Sequence, residues 1–160
     1  MLIVGCGCRG RALTGALVDR GHAVRGTTRE PTALEAIEAA GAEAVVADPD
    51  RLGTIAAHVQ GSSVLCWLLG TAQGDPDGVA ALHGPRLESM LEGLVDTPVR
   101  GVVYEAAGTV PAELLGNGAA TVRRVAAVYR MPVEVVSVDP ADVERWLDAT
   151  VHAVDSVLAA

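Results

Sequence analysis

Residues 2–13, Leu-Ile-Val-Gly-Cys-Gly-Cys-Arg-Gly-Arg-Ala-Leu, carry the arrangement on which the fold turns. Leu2, Ile3 and Val4 form a short all-apolar run of the kind found in a parallel strand covered on both sides. Gly5, Gly7 and Gly10 follow in G-x-G-x-x-G spacing, and from Arg11 to Arg20 the pattern turns helical, with Leu13, Ala16 and Leu17 on one face. Between a strand and a helix each glycine meets a separate demand. Gly5 allows a tight turn, Gly7 lets backbone approach a diphosphate, and Gly10 permits close helix–strand contact. The helix start adds unpaired N–H groups and the positive end of its dipole. The expectation is a dinucleotide site, with Cys8 and Arg9 inside the loop beside the ligand.

The rest of the chain alternates short apolar runs with helix-like segments, as a parallel sheet wrapped by helices requires. His22 to Thr27 reads as a second strand, and Pro31 suits the first turn of a helix that stops at Gly41. Ala44 to Ala47 reads as a third strand, and Asp48 or Asp50 can cap a helix running to Val59. Ser63 to Leu69 is nearly unbroken apolar and is expected at the sheet centre. The stretch from Gly70 to Gly78 is rich in Gly, Pro and Asp and is expected to be a mobile loop. Leu87, Met90, Leu91 and Leu94 then form a helical stripe. Val99 to Tyr104 reads as strand, Ala119 to Arg130 as helix, and Val133 to Val138 as strand. A last helix is capped by Asp139, carries Pro140 in its first turn, and aligns Val143, Trp146, Leu147, Thr150, Val151 and Val154. Six strands and six helices predict a doubly wound three-layer α/β fold with strand order 3-2-1-4-5-6, ligand lying at the switch between strands one and four. Residues 1–160 are expected to be a single domain with no separate substrate domain.

The composition narrows the partners. A net charge of −8 opposes nucleic acid and anionic membranes. No apolar run approaches the ~20 residues of a membrane span, and no basic, apolar leader precedes Gly5, so a cytoplasmic location is expected. Three cysteines do not make a disulfide framework. With no Phe, two Trp and two Tyr, packing is expected to fall to Ala, Val, Leu and Gly. All twelve basic residues are Arg, which removes every mechanism that needs a Lys.

The end of the second strand bears on the cofactor. An NAD site places Asp or Glu there for the ribose hydroxyls; this chain has Gly26-Thr27-Thr28-Arg29. Arg29 can pair with a 2′-phosphate, joined by Arg9 or Arg11, so NADP(H) is expected ahead of NAD. Such a charge-assisted bond is worth about 1.5–3 kcal/mol. Asp48, at the end of the third strand, can touch the adenine or merely cap a helix.

The stretches G-x-G-x-x-G-R-A-L, D-R-G-H-A-V-R-G-T-T-R and V-V-A-D, with R-G-V-V-Y-E-A-A-G further on, resemble atypical short-chain dehydrogenase/reductase proteins of the NADP-binding, NmrA-like sort. The likeness covers about the first 110 residues. It implies that Gly5, Gly7, Gly10, Arg29, Asp48 and the Leu69-Gly70 strand end surround the cofactor. The chain departs from that family's catalytic pattern. The strand-five Ser falls at Ala106 or Ala107, and the Tyr-x-x-x-Lys pair cannot exist without Lys. A second resemblance, over the first 70 residues, is to potassium-transport regulatory domains of the RCK or KTN type, in which Arg29 would replace the usual acid.

Candidates for chemistry are few. Tyr104 and Glu105 stand at the strand end where ligands of open α/β sheets lie, and alternation lets only one face the cleft. Cys8 at a helix start can have a lowered thiol pKa or be a tolerated small residue, as can Cys6; Cys66 reads as core. His83 can be an acid near the cleft or a plain loop histidine, while His22, His58 and His152 read as surface or packing residues. Asp75 and Asp77 make turns, and no metal site is expected. Two functions stay open: a non-catalytic NADP sensor or binding module, and a small oxidoreductase using a non-standard donor on a carbonyl, enone or quinone substrate. Self-association as a homodimer, through the last two helices, is expected in either case.

Overall fold

The computed structural model describes all 160 residues. Six parallel strands, β1 (Leu2–Val4), β2 (Arg25–Thr28), β3 (Glu43–Val46), β4 (Val64–Trp67), β5 (Gly101–Glu105) and β6 (Val133–Val136), form one sheet. Their order is β3-β2-β1-β4-β5-β6, the order expected. The crossovers are carried by α1 (Cys8–Asp19), α2 (Leu34–Ala39), α3 (Leu52–Ala56), α4 (Pro76–Leu82), α5 (Pro85–Gly93) and α6 (Ala112–Tyr129), and α7 (Val143–Ala159) closes the chain.

Alternation along the strands divides the interior in two. Leu2, Val4, Leu65, Trp67, Val102 and Tyr104 point to the side covered by α3 to α6. Ile3, Val64, Cys66 and Val103 point to the side covered by α1, α2 and α7. Ring-poor composition does not make the core ring-free: Trp67, Trp146 and Tyr104 are its largest fully buried side chains. Trp67 and Tyr104 pack on one side of the sheet and Trp146 on the other, where small aliphatic residues would leave voids.

Several local expectations are corrected. β2 begins at Arg25, not His22, because Arg25 is the first residue in register with β1 and β3. Pro31 opens a 3₁₀ turn (Pro31–Ala33) ahead of α2, and Gly41 follows that helix at φ +93°. Neither Asp48 nor Asp50 caps α3, whose N-cap Arg51 makes no capping bond; the Asp48 carboxylate instead accepts from the Asp50 amide at 3.0 Å. α3 stops at Ala56, short of Val59. Part of the expected loop is ordered, since Asp75 accepts the Gly78 amide at 2.8 Å and starts α4. α6 begins at Ala112, seven residues before Ala119. Gly116 and Gly118 hide that first half in the sequence, yet Gly118 is required there because the Tyr104 hydroxyl fills the space a Cβ would take. The cap of α7 is Asp142, which accepts from the Arg145 amide at 3.3 Å, while Asp139 only closes a turn to Ala141. The apolar face of α7 is covered by the chain itself, through Trp146, Val151, Val154 and Val157. Val143, expected on that face, is exposed, as are Val128 and Tyr129 at the end of α6. No helix is long and apolar enough to cross a membrane.

Candidate functional site

The glycine loop has the geometry its spacing demands. Gly5 sits at φ +89°, where a Cβ would also strike the Leu68 carbonyl oxygen just after β4. A Cβ at Gly10 would lie 3.0 Å from the Gly5 carbonyl oxygen, tight enough that the close approach of the helix favours glycine. Gly7 differs, for a Cβ there meets nothing within 4 Å. It is the N-cap of α1 and offers no side-chain cap, so the amides of Cys8, Arg9 and Gly10 have no carbonyl partner. Uncapped amides at the positive end of a twelve-residue helix, beside open space, form a cradle that fits a diphosphate. Sequence-remote fitting supports the loop: Gly26 on β2 leaves room for Cys6, whose Sγ would stand 2.7 Å from a Cβ at that position.

A cavity of about 360 Å³ opens beside this cradle over the carboxyl ends of β1, β2 and β3. Of the expected residues, Gly5, Gly7, Thr28, Arg29 and Leu69 line it, and Arg11 joins them. Arg29 is half exposed and stands 3.7 Å from Asp50, which Arg86 holds more closely at 2.8 Å. Sequence reasoning missed several lining residues, among them Glu30, just beyond the strand end; Gln73, from the β4–α4 loop; and Leu82, from the far end of α4. Only Glu30 had a signal, since it follows Arg29 directly. A smaller cavity, about 90 Å³, lies on the other side of the loop between Gly5, Gly7, Cys8, Arg9, Gly10 and Trp146.

Other expected residues turn elsewhere. Arg9 does not join Arg29. Its Nη2 donates to Thr71 Oγ1 at 3.0 Å and to Glu105 Oε1 at 3.3 Å, and its guanidinium lies 5.4 Å from the Trp146 ring centre. Glu105 is fully buried, and its Oε2 accepts the Gly70 amide at 2.7 Å. Burial pushes the Glu105 carboxyl up, against the pull of Arg9 and the Gly70 amide. The Trp146 indole N–H is turned toward that carboxylate without closing a hydrogen bond. Tyr104 is also fully buried, on the opposite face of the sheet, and its hydroxyl lies 2.8 Å from His83 Nδ1. His83 is not at the cleft: it ends α4 as a 1% exposed residue whose Nε2 stands 3.2 Å from the Leu69 carbonyl oxygen. Asp48 does not line the cavity, which its neighbours Ala47 and Pro49 reach instead. Cys8 is exposed with Arg11 Nη2 3.3 Å from its sulfur, and Cys66 is core, its thiol pushed by burial up to about 12.

Comparison with known proteins agrees with this geometry. A family model described as NAD(P)H-binding matches residues 5–113, which includes the glycine loop and β5. No curated protein matches the chain. Among solved structures, the chain is similar to a short-chain dehydrogenase/reductase superfamily protein from Agrobacterium tumefaciens with bound NAD, with a TM-score of 0.70 and 20% identity over 85% of this chain and 48% of that one. It is similar to UDP-glucuronic acid 4-epimerase from Bacillus cereus in complex with NAD, with a TM-score of 0.67 and 14% identity over 85% of this chain and 54% of the other. Triphenylmethane reductase from Citrobacter sp., complexed with NADP(H), gives a TM-score of 0.62 and 14% identity over 85% and 48%. The chain thus spans about half the length of these structures. At such identities the likeness is one of fold. The match over residues 5–113, more than half of the sequence, carries the assignment: the chain belongs to the NAD(P)H-binding family of Rossmann proteins, with a nicotinamide dinucleotide as the family's ligand.

Proposed function

We propose that this protein binds NADP(H) in preference to NAD(H) and acts as a nucleotide sensor or binding module rather than as a reductase. The observation that carries this reading is the placement of Arg29 and Arg11 in the cavity wall beside the glycine loop, with Thr28 in the same wall. Uncapped α1 amides hold the diphosphate, and the two guanidinium groups suit a 2′-phosphate on the adenosine ribose. Glu30 shares the wall and sits where it would meet an unphosphorylated ribose. The balance between Arg29 and Glu30 therefore sets the preference. The sensor role is supported by the burial of both candidate donors at the end of β5, since Glu105 and Tyr104 are each fully buried.

Calorimetry with all four nicotinamide nucleotides tests the preference. NADP and NADPH are expected to bind more tightly than NAD and NADH. Arg29→Ala is expected to weaken NADP binding about ten- to a hundredfold while leaving NAD nearly unchanged. Equal or tighter binding of NAD by the unaltered protein defeats the NADP reading.

A second reading, a small NADPH-dependent oxidoreductase acting on a carbonyl or quinone, draws on Glu105 alone. Its raised carboxyl pKa favours the proton-carrying form, as a proton donor needs. A bound nicotinamide would supply the hydride. Oxidation of NADPH by a panel of carbonyls and quinones, abolished in Glu105→Gln, would support it, whereas nucleotide binding without turnover supports the sensor.

A further inference from the structure

In a doubly wound fold a dinucleotide lies across the switch point, one half over each set of three strands. The two sides of this crevice are unequal. The cavity of about 360 Å³ draws its floor and walls from the loop after β1, from the ends of β2 and β3, and from the segment just after β4. On the Arg9 side of the loop the protein itself narrows the crevice to the smaller cavity of about 90 Å³. Arg9 crosses from the glycine loop to Glu105 at 3.3 Å and to Thr71 at 3.0 Å, and Trp146 of α7 backs it. Glu105 in turn holds the Gly70 amide at 2.7 Å.

Backbone seals what the side chains cover. Gly70 and Gly108 meet so closely that neither could carry a Cβ, one striking the Ala107 carbonyl oxygen and the other the Gly70 carbonyl oxygen. The Val110 amide donates to the Gly70 carbonyl at 3.0 Å, which fastens the β5–α6 loop over the end of β4. Neither Glu105 nor Tyr104 lines the larger cavity or the smaller one beside Arg9.

We infer that this site recognises the adenosine diphosphate half of its ligand alone, with the Arg9–Glu105 pair standing where the second half would otherwise enter. The ligand class is a 5′-diphosphate of adenosine or 2′-phosphoadenosine, whatever group the diphosphate carries beyond. Arg9 and Glu105 are then specificity determinants that exclude the nicotinamide ring, and the oxidation state of that ring goes unread. The inference rests on the proposed nucleotide binding but makes a separate demand of it.

The test compares NADP, NADPH and 2′-phosphoadenosine 5′-diphosphate by calorimetry on the unaltered chain. The inference expects the three to bind within about threefold of one another. NADP or NADPH binding at least about tenfold more tightly than the phosphoadenosine diphosphate, or a tenfold difference between NADP and NADPH, overturns it while leaving the nucleotide reading intact. No binding by any of the three removes both. Arg9→Ala and Glu105→Gln, which release the two sides of the plug, are expected to raise NADPH affinity relative to the phosphoadenosine diphosphate. An unchanged ratio in two folded variants counts against the plug.

Discussion

At the scale of single residues, the three loop glycines separate into two kinds. Gly5 and Gly10 are crowded by the surrounding backbone, Gly5 the more severely, whereas Gly7 is glycine beside open space. The two kinds predict opposite phenotypes. Gly5→Ala places a side chain at φ +89° against the Leu68 carbonyl, a conformation costing about 1–2 kcal/mol before the collision is counted. Its thermal midpoint is expected to fall by about 5 °C or more, measured by calorimetry or circular dichroism. Gly7, at φ −74° and ψ −157°, accepts alanine without strain. Gly7→Ala is expected to keep its stability within about 0.5 kcal/mol while losing about tenfold in nucleotide affinity, because the methyl group stands before the uncapped amides. A stability loss equal to that of Gly5→Ala would show that Gly7 has a folding role instead. These glycines are legible in the sequence because their spacing encodes geometry within one turn of chain. The place of Arg9 is not, since its partner Glu105 lies 96 residues away.

Among the elements, α6 shows how tertiary contact overrides local preference. Its first half contains Gly116 and Gly118, which weaken a helix signal. Gly118 faces the Tyr104 hydroxyl, which also donates to the Leu115 carbonyl at 3.3 Å, while Gly116 faces open space. Gly116→Ala is therefore expected to stabilise the protein by about 0.5–1 kcal/mol in chemical denaturation. Gly118→Ala is expected to destabilise it by about 1–3 kcal/mol, because the added methyl must displace a buried ring held by His83. Equal effects at the two positions would refute the packing account. The same contrast explains the capping errors. Asp139 and Asp48 carry the right side chain for a cap, but each closes a local turn, and the helices begin four residues later, at Val143 and Leu52. Asp, Ser and Asn favour caps and turns for the same hydrogen-bonding reason, so sequence cannot separate the two outcomes.

For the molecule as a whole, stability is coupled to pH through buried groups of opposite sign. Burial holds His83 below its ordinary 6.5, so the unfolded chain takes up this proton at a higher pH than the folded one. The contribution of neutral His83 is present above about pH 6.5 and is lost as pH falls through its lowered folded value, by up to about 1.4 kcal/mol per pH unit. Glu105 works the other way: its carboxyl is raised, so the folded state gains from protonation as pH drops toward the usual carboxylate range. His83→Gln is expected to flatten the fall in thermal midpoint between pH 7 and pH 5, since His22, His58 and His152 reach solvent. A pH dependence unchanged in that variant would mean that the Tyr104–His83 contact opens easily to water.

The sequence by itself determined the strand order, the turn geometry of the glycine loop and the place of Arg29 just beyond β2. The last two depend on spacing within one strand–turn–helix unit, and the first on the repetition of such units with right-handed crossovers. The tertiary structure alone decided which side of the crevice is open. Arg9, Thr71, Glu105 and Trp146 come from four separate parts of the chain, and their meeting depends on how β1, β4, β5 and α7 pack. A guanidinium in a glycine loop looks the same in sequence whether it waits for a phosphate or closes on a carboxylate. Only the buried partner, brought in by the sheet, chooses between the two.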